Sequence, residues 1–345
     1  MLNLVVLSLV GGAQADGLEA TLLNQVWVTV YDQDQSAQAD SSGYGDPEDD
    51  PGFKLRRARA GFEGEDGDFS YRVVLGMGAA ADGLSSGGGE AGIVDAWGGW
   101  RAHRHLVLRA GVQKVPFGRE ALLSSSELVF QERAVTSTHI APGRELGVLA
   151  QAEAYGLDLQ LGAFNGNGSI LGDDNSGMLY AFRAAYGKGP GATDSTWGSV
   201  DQLTWNVGAN VLYNQDLAVS ELAFGGDALL RVQSLSLLAE CDFASISPGD
   251  ATVSAPGVFE DTSRLGALLQ LGWSLGILEP AVRVEWFDDD TSAEDNGDLL
   301  HALAGVTAHL AEDRVRAGAG YVFRGERGGT SLPNDTVRAW LQFHY

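Results

Sequence analysis

From Leu18 to the last residue, apolar and polar positions alternate in segments of about ten residues, punctuated by clusters of Gly, Asp, Asn and Ser. A period of two is what a strand shows when one face is dry and the other wet. The segments predicted as strands centre on 22–30, 55–63, 69–77, 93–101, 106–113, 146–153, 157–164, 178–186, 203–213, 222–232, 235–243, 264–273, 278–287, 299–310, 314–323 and 336–345. They number about sixteen, and bacterial single-chain membrane barrels have an even count. The connections alternate as well. Short ones at 65–68, 102–105, 233–234 and 311–313 interleave with long polar ones at 33–52, 244–263 and 288–298. Outer-membrane barrels carry short turns at one end and long loops at the other, which a soluble sandwich has no reason to do. The expectation is an all-β protein, a transmembrane antiparallel β-barrel.

Turning the apolar sets outward places Val73, Leu75 and Met77; Leu265, Ala267, Leu269, Leu271 and Trp273; Val315, Ala317, Ala319, Tyr321 and Phe323; and Val337, Ala339, Leu341, Phe343 and Tyr345 against lipid. In the same register Arg57, Arg59, Arg72, Arg109, Arg183, Arg231, Arg283, Arg316, Arg324 and Arg338 face the lumen. Pairing with wall acids such as Glu63, Glu153, Glu240 or Glu285 accounts for any one of them; gathered on one face, they suit oxyanions that accept two bonds from a guanidinium fork. Arg316→Leu should on this reading leave the fold intact, whereas an arginine at Leu269 should not. Trp27, Trp97, Trp100, Trp273, Tyr321 and Tyr345 lie towards strand ends and read as an interfacial girdle.

Charge sharpens this picture. Of 345 residues, Lys+Arg number 22 and Asp+Glu 46, for a formal charge of -24, so a nucleic-acid partner is disfavoured for want of a basic footprint. The acids crowd the long loops, as Asp46, Glu48, Asp49 and Asp50, and again as Asp288, Asp289, Asp290, Glu294, Asp295 and Asp298. No apolar run reaches the length of about eighteen residues that a membrane helix needs. The single Cys241 precludes an internal disulfide framework. His103 and His105 sit in a short turn without further ligand spacing, and Ser124, Ser125 and Ser126 lack the setting of a catalytic nucleophile, so neither metal, cofactor nor enzymatic chemistry is expected. At the amino terminus, the apolar run 2–10 precedes Ala13-Gln14-Ala15, a small-x-small cleavage pattern. Residues 1–15 are therefore expected to be a signal peptide whose start is clipped, since no basic stretch precedes the apolar run, with a buried first strand as the alternative, and 16–345 to form one barrel.

One stretch breaks the alternation. The strand that ends at Pro116 is followed by a segment with no sustained period, rich in charge yet anchored by Leu122, Leu123, Leu128, Val129 and Phe130. A loop so long is functional or disordered, and its apolar anchors argue for order. The runs RRARAGFEG (56–64), AGVQKVPFGRE (110–120), LVFQERA (128–134) and PGRELG (142–147), in this order, resemble the phosphate-selective porin O/P family of bacterial outer-membrane channels, with similarity running from about Phe53 to about Gly168. The resemblance implies a homotrimer in outer-membrane lipid, whose long third loop, here 115–143, folds inward as a constriction, and small anions such as phosphate or polyphosphate as permeants. It also implies an arginine ladder and a lysine cluster in phosphate-specific members; Lys54, Lys114 and Lys188 form no such cluster here. Within the loop, Lys114 and Arg119 are expected to touch permeant ions, and Arg133 and Arg144 to tie the loop to carboxylates. A general, weakly selective porin is the alternative within this class; an outer-membrane barrel enzyme and a secreted β-rich binding protein are the alternatives outside it.

Overall fold

The computed structural model describes residues 17–32, 52–77, 92–168, 177–188, 195–216, 219–249, 260–295, 297–329, 331 and 334–345. The expected signal peptide lies outside the described residues, as does the whole of 33–51 with its acids. The strands are β1 (Leu18–Asp32), β2 (Gly52–Asp66), β3 (Phe69–Met77), β4 (Gly92–His103), β5 (Leu106–Lys114), β6 (Arg144–Ala154), β7 (Leu157–Phe164), β8 (Leu179–Lys188), β9 (Thr204–Gln215), β10 (Val219–Val232), β11 (Leu235–Pro248), β12 (Thr262–Trp273), β13 (Leu278–Asp288), β14 (Leu299–Leu310), β15 (Val315–Glu326) and β16 (Thr336–His344). Each pairs antiparallel with its sequence neighbours, and β1 closes on β16, from Leu23 opposite His344 to Asp32 opposite Thr336. Closure leaves no unpaired edge, the condition a sheet must meet to stand in lipid.

The expected faces hold. On β12, Leu269, Leu271 and Trp273 are exposed while Leu268 and Gln270 are buried; on β16, Leu341 and Phe343 are exposed while Arg338, Trp340 and Gln342 are buried. An apolar outer surface around a polar interior is the inverse of a soluble protein and fits a membrane. Two departures matter for the site. Opposite the step from Gln25 to Val26, β2 carries one extra residue, Arg56, between Leu55 and Arg57. This bulge turns Arg56 inward beside Arg57, so both are buried, although strict alternation leaves Arg56 off the lumen face. Trp27 and Trp97 also point inward rather than into a girdle: Arg338 lies 3.9 Å from the Trp27 ring centre and Arg109 4.9 Å from that of Trp97. Trp100, Trp273, Tyr321 and Tyr345 are exposed on the outside as expected.

Turn lengths follow the predicted alternation with two exceptions, one of them the three-residue connection 216–218 at the long-loop end. The connections 67–68, 104–105, 155–156, 233–234, 274–277 and 311–314 are short and lie at one end, yet 189–203, at that same end, is fifteen residues long. Between β5 and β6 the chain leaves the wall for 115–143, which contains α1 (Arg119–Leu122) and α2 (Val135–His139).

Candidate functional site

The segment 115–143 is held by side chains from the polar inner face of the wall. Gln25 on β1 donates to the Ser125 carbonyl at 2.9 Å, Arg57 on β2 to that of Gln131 at 3.0 Å, Arg316 on β15 to those of Ser126 and Leu128 at 2.6 and 2.9 Å, and Gln342 on β16 to that of Ser126 at 3.0 Å. From β11 and β13 the bonds run the other way. Glu240 accepts the Glu120 amide at 2.9 Å and Glu285 that of Val135 at 2.8 Å. A chain without a ladder must find partners for its buried peptide groups elsewhere, and here the wall supplies them. Beneath these bonds, Val115, Phe117, Val135 and Ile140 pack against Leu149, Phe164, Leu212 and Phe287 of the wall. Gly118, with φ of 68°, makes the turn into α1 in a conformation that a side chain disfavours, and a Cβ there comes within 2.9 Å of Glu240.

Charge pairs fix the segment at three points. Arg119 is wholly buried: its Nε lies 2.6 Å from Asp227 on β10, which also receives Arg183 at 2.6 Å, and its Nη2 bonds Asn206. Arg283 on β13 bridges Glu120 at 2.7 Å and Glu285 at 2.5 Å. Arg56 grips Glu132 with Nε and, at 2.8 Å, with Nη2. Burial pushes the Glu120 carboxyl above the ordinary range, with Arg283 pulling it down.

The expected contact residues sort differently from the sequence expectation. Arg119 does not face permeants; its burial against Asp227 makes it an anchor, because the wall offers a carboxylate at that level. Lys114 lines a cavity but donates to the Ala121, Leu122 and Leu123 carbonyls at 2.9, 2.9 and 2.5 Å, closing the end of α1. Arg144 ties to wall Asp95 at 2.9 Å, as expected. Arg133 instead ties the segment to itself, through the carbonyls of Glu120 at 3.2 Å and Leu123 at 2.7 Å. Of the lumen arginines, Arg57, Arg183, Arg283 and Arg316 are engaged in these contacts, and Arg59 reaches Ser125 at 3.2 Å. Because Arg316 satisfies two carbonyls, its exchange for Leu is not neutral as alternation alone suggests. Arg338 and Arg324 line a cavity of about 280 Å³ with Arg56 and Trp340.

Arg72 and Arg109 are left facing a larger cavity of about 930 Å³, with Lys114 and Arg144 at its inner end. Arg72 pairs with Glu63 and reaches Asp95 at 3.4 Å. Arg109, stacked on Trp97, has an Nε with no hydrogen-bond partner among the described residues. Glu153 and Asp158, also lining the cavity, sit on either side of the turn 155–156, towards its mouth.

His139, at the end of α2, is held neutral. Burial, with Arg264 and His301 nearby, lowers its pKa from 6.5 to about 4. An undocked, solvated His139 takes up a proton near 6.5, so docking is complete above that value and is weakened as pH falls from 6.5 towards 4. Protease cleavage within 115–143 should accordingly rise over that interval, and His139→Gln should flatten the response.

Residues 29–195 match the family model described as phosphate-selective porin O and P. No curated protein sequence matches the chain. Among solved structures, OmpT of Vibrio cholerae with loop L8 deleted, an outer-membrane protein, is similar at 11% identity over 95% of this chain and 99% of that one, with a TM-score of 0.65. The trimer form of OmpT from the same organism gives 10% identity, 95% and 99% coverage and a TM-score of 0.62. The anion-selective porin from Comamonas acidovorans gives 12% identity, 95% and 99% coverage and a TM-score of 0.61.

Proposed function

We propose that this protein is a passive diffusion channel of the bacterial outer membrane that prefers anions, phosphate among them, a reading supported by the match of residues 29–195 to the model of phosphate-selective porin O and P and by the likeness of the fold to porins. It is a channel rather than an enzyme. The observation that carries the anion preference is the 930 Å³ cavity, into which Arg72, Arg109, Lys114 and Arg144 all project. Glu63, Asp95, Glu153 and Asp158 line the same cavity, the last two near enough to act on Arg109 through space. Four cations thus face four carboxylates, and the preference rests on the guanidinium donors turned into the lane rather than on an excess of charge. Arg109 matters most, since its guanidinium is braced by Trp97 and has no carboxylate in direct contact among the described residues.

The formal charge of -24 pulls the other way. Distance decides: at physiological salt, screening acts over about 8 Å, so acids in the long loops act weakly on an ion already inside. The segment 115–143 serves as the constriction in this reading, supported by its bonds to wall strands on several sides of the barrel. The assembly we propose is a homotrimer, a reading supported by the trimer form of the similar OmpT.

Arg109→Glu reverses the charge of a lane arginine that has no carboxylate in direct contact among the described residues. The anion-to-cation permeability ratio should fall while the barrel remains folded, because Arg109 anchors no part of 115–143. An unchanged ratio in planar bilayers places the selectivity elsewhere in the pore.

A further inference from the structure

The short-turn end of the barrel has one connection that is not short. Where its six neighbours need two to four residues, the chain spends fifteen on 189–203. Its described part turns back into the barrel. Trp197 packs against Val129 and Phe130 of the segment 115–143 and against Ala281 and Leu303 of the inner wall. Its indole stacks on His309 of β14, ring centres 4.1 Å apart and planes inclined by 29°, and the Arg316 guanidinium lies 5.1 Å from the ring centre.

The backbone around the indole is pinned too. Arg231 of β10 donates through Nη2 to the carbonyls of Trp197 at 2.7 Å and Gly198 at 3.0 Å, and the Val200 amide donates to the Gln233 carbonyl at 2.8 Å. Arg231, Ala281, Leu303, His309 and Arg316 all occupy the inward register of their strands, whose alternate positions Leu230, Val282, Leu300, Val306 and Tyr321 are exposed outside. Trp197 is therefore inside the barrel, entering from the end opposite the long loops.

We propose that Trp197 is a second occluding element, which meets the segment 115–143 inside the barrel, closes the side walled by β10 and β13–β15, and confines permeating ions to the lane beside β3–β6. This rests on the channel reading above and adds to it the residue that sets the width of the path. Two chain segments entering from opposite ends and meeting at the cluster that holds Val129 and Phe130 leave no continuous passage on that side. Ions then have to pass Arg72 and Arg109. An indole suits the task, because a large rigid ring fills space at little entropic cost and stacks on both an imidazole and a guanidinium.

The test is single-channel conductance of the purified full chain in planar bilayers with potassium chloride. Trp197→Gly should raise the conductance and lower the anion-to-cation ratio, by opening a lane that avoids Arg109. Trp197→Phe should keep both near the wild-type values. If the glycine variant does not insert, His309→Ala, which removes the stacking partner and leaves the segment intact, should raise conductance in the same direction. Wild-type conductance in a folded Trp197→Gly or His309→Ala barrel overturns the proposal while leaving the channel reading standing; a wild-type chain that conducts nothing overturns the channel reading itself.

Discussion

Asp227→Ala should destabilise the docked state of the segment 115–143 by about 3–5 kcal/mol, the cost of leaving a buried charge without its partner. Two guanidiniums depend on this carboxylate, Arg119 from the loop at 2.6 Å and Arg183 from β8 at 2.6 Å, and the side chains of all three residues are completely buried. Removing Asp227 strands both charges, and the loop can relieve its own only by leaving the wall. The expected readout is rapid proteolysis within 115–143 at neutral pH, together with a larger and noisier conductance. Asp227→Ala with Arg119→Leu should recover part of the loss, since only Arg183 then lacks its carboxylate. A single variant as protease-resistant as the wild type shows that the pair does not hold the loop.

Leu269→Arg should cost about 2–4 kcal/mol and impair insertion, because position 269 points into lipid near the middle of β12. Its neighbour Leu268 is buried inside, packed with Ala134 of the loop, Leu229 and Leu238. Leu268→Ala should instead leave insertion intact and cost about 2–5 kcal/mol through the cavity it opens. The two losses separate by assay: yield of folded barrel in lipid vesicles for Leu269, resistance of the loop to protease for Leu268. Normal insertion of Leu269→Arg contradicts the assignment of faces.

Strand count, closure and faces were legible because a period of two is imposed locally at every residue by the pleat, and the lipid makes the apolar face nearly continuous. What alternation could not reveal was where it breaks. Arg56 comes inside only through a bulge in β2, which depends on pairing with β1 rather than on anything adjacent in sequence. Trp27 and Trp97 read as girdle residues because strand-end position carries no information about which face supports an arginine. The loop misled in a different way. Lys114, at the loop's edge, and Arg119, within it, are charged residues, which suggests contact with solvent ions, but their partners, the carbonyls of α1 and Asp227, are supplied by folding rather than by anything the charge pattern encodes. Trp197 had a readable signal, a long connection at the short-turn end, but that signal gains meaning only beside the six short turns around it.

The central claim is that charge inside the lane, and not the charge of the whole chain, sets which ions pass. It is tested most directly by the reversal potential of purified channels under a salt gradient at neutral pH, with chloride and then phosphate as the anion. The account predicts a potential of the sign that anion preference gives with both salts. A reversal potential of the opposite sign, reporting cation preference in the wild-type chain, contradicts it.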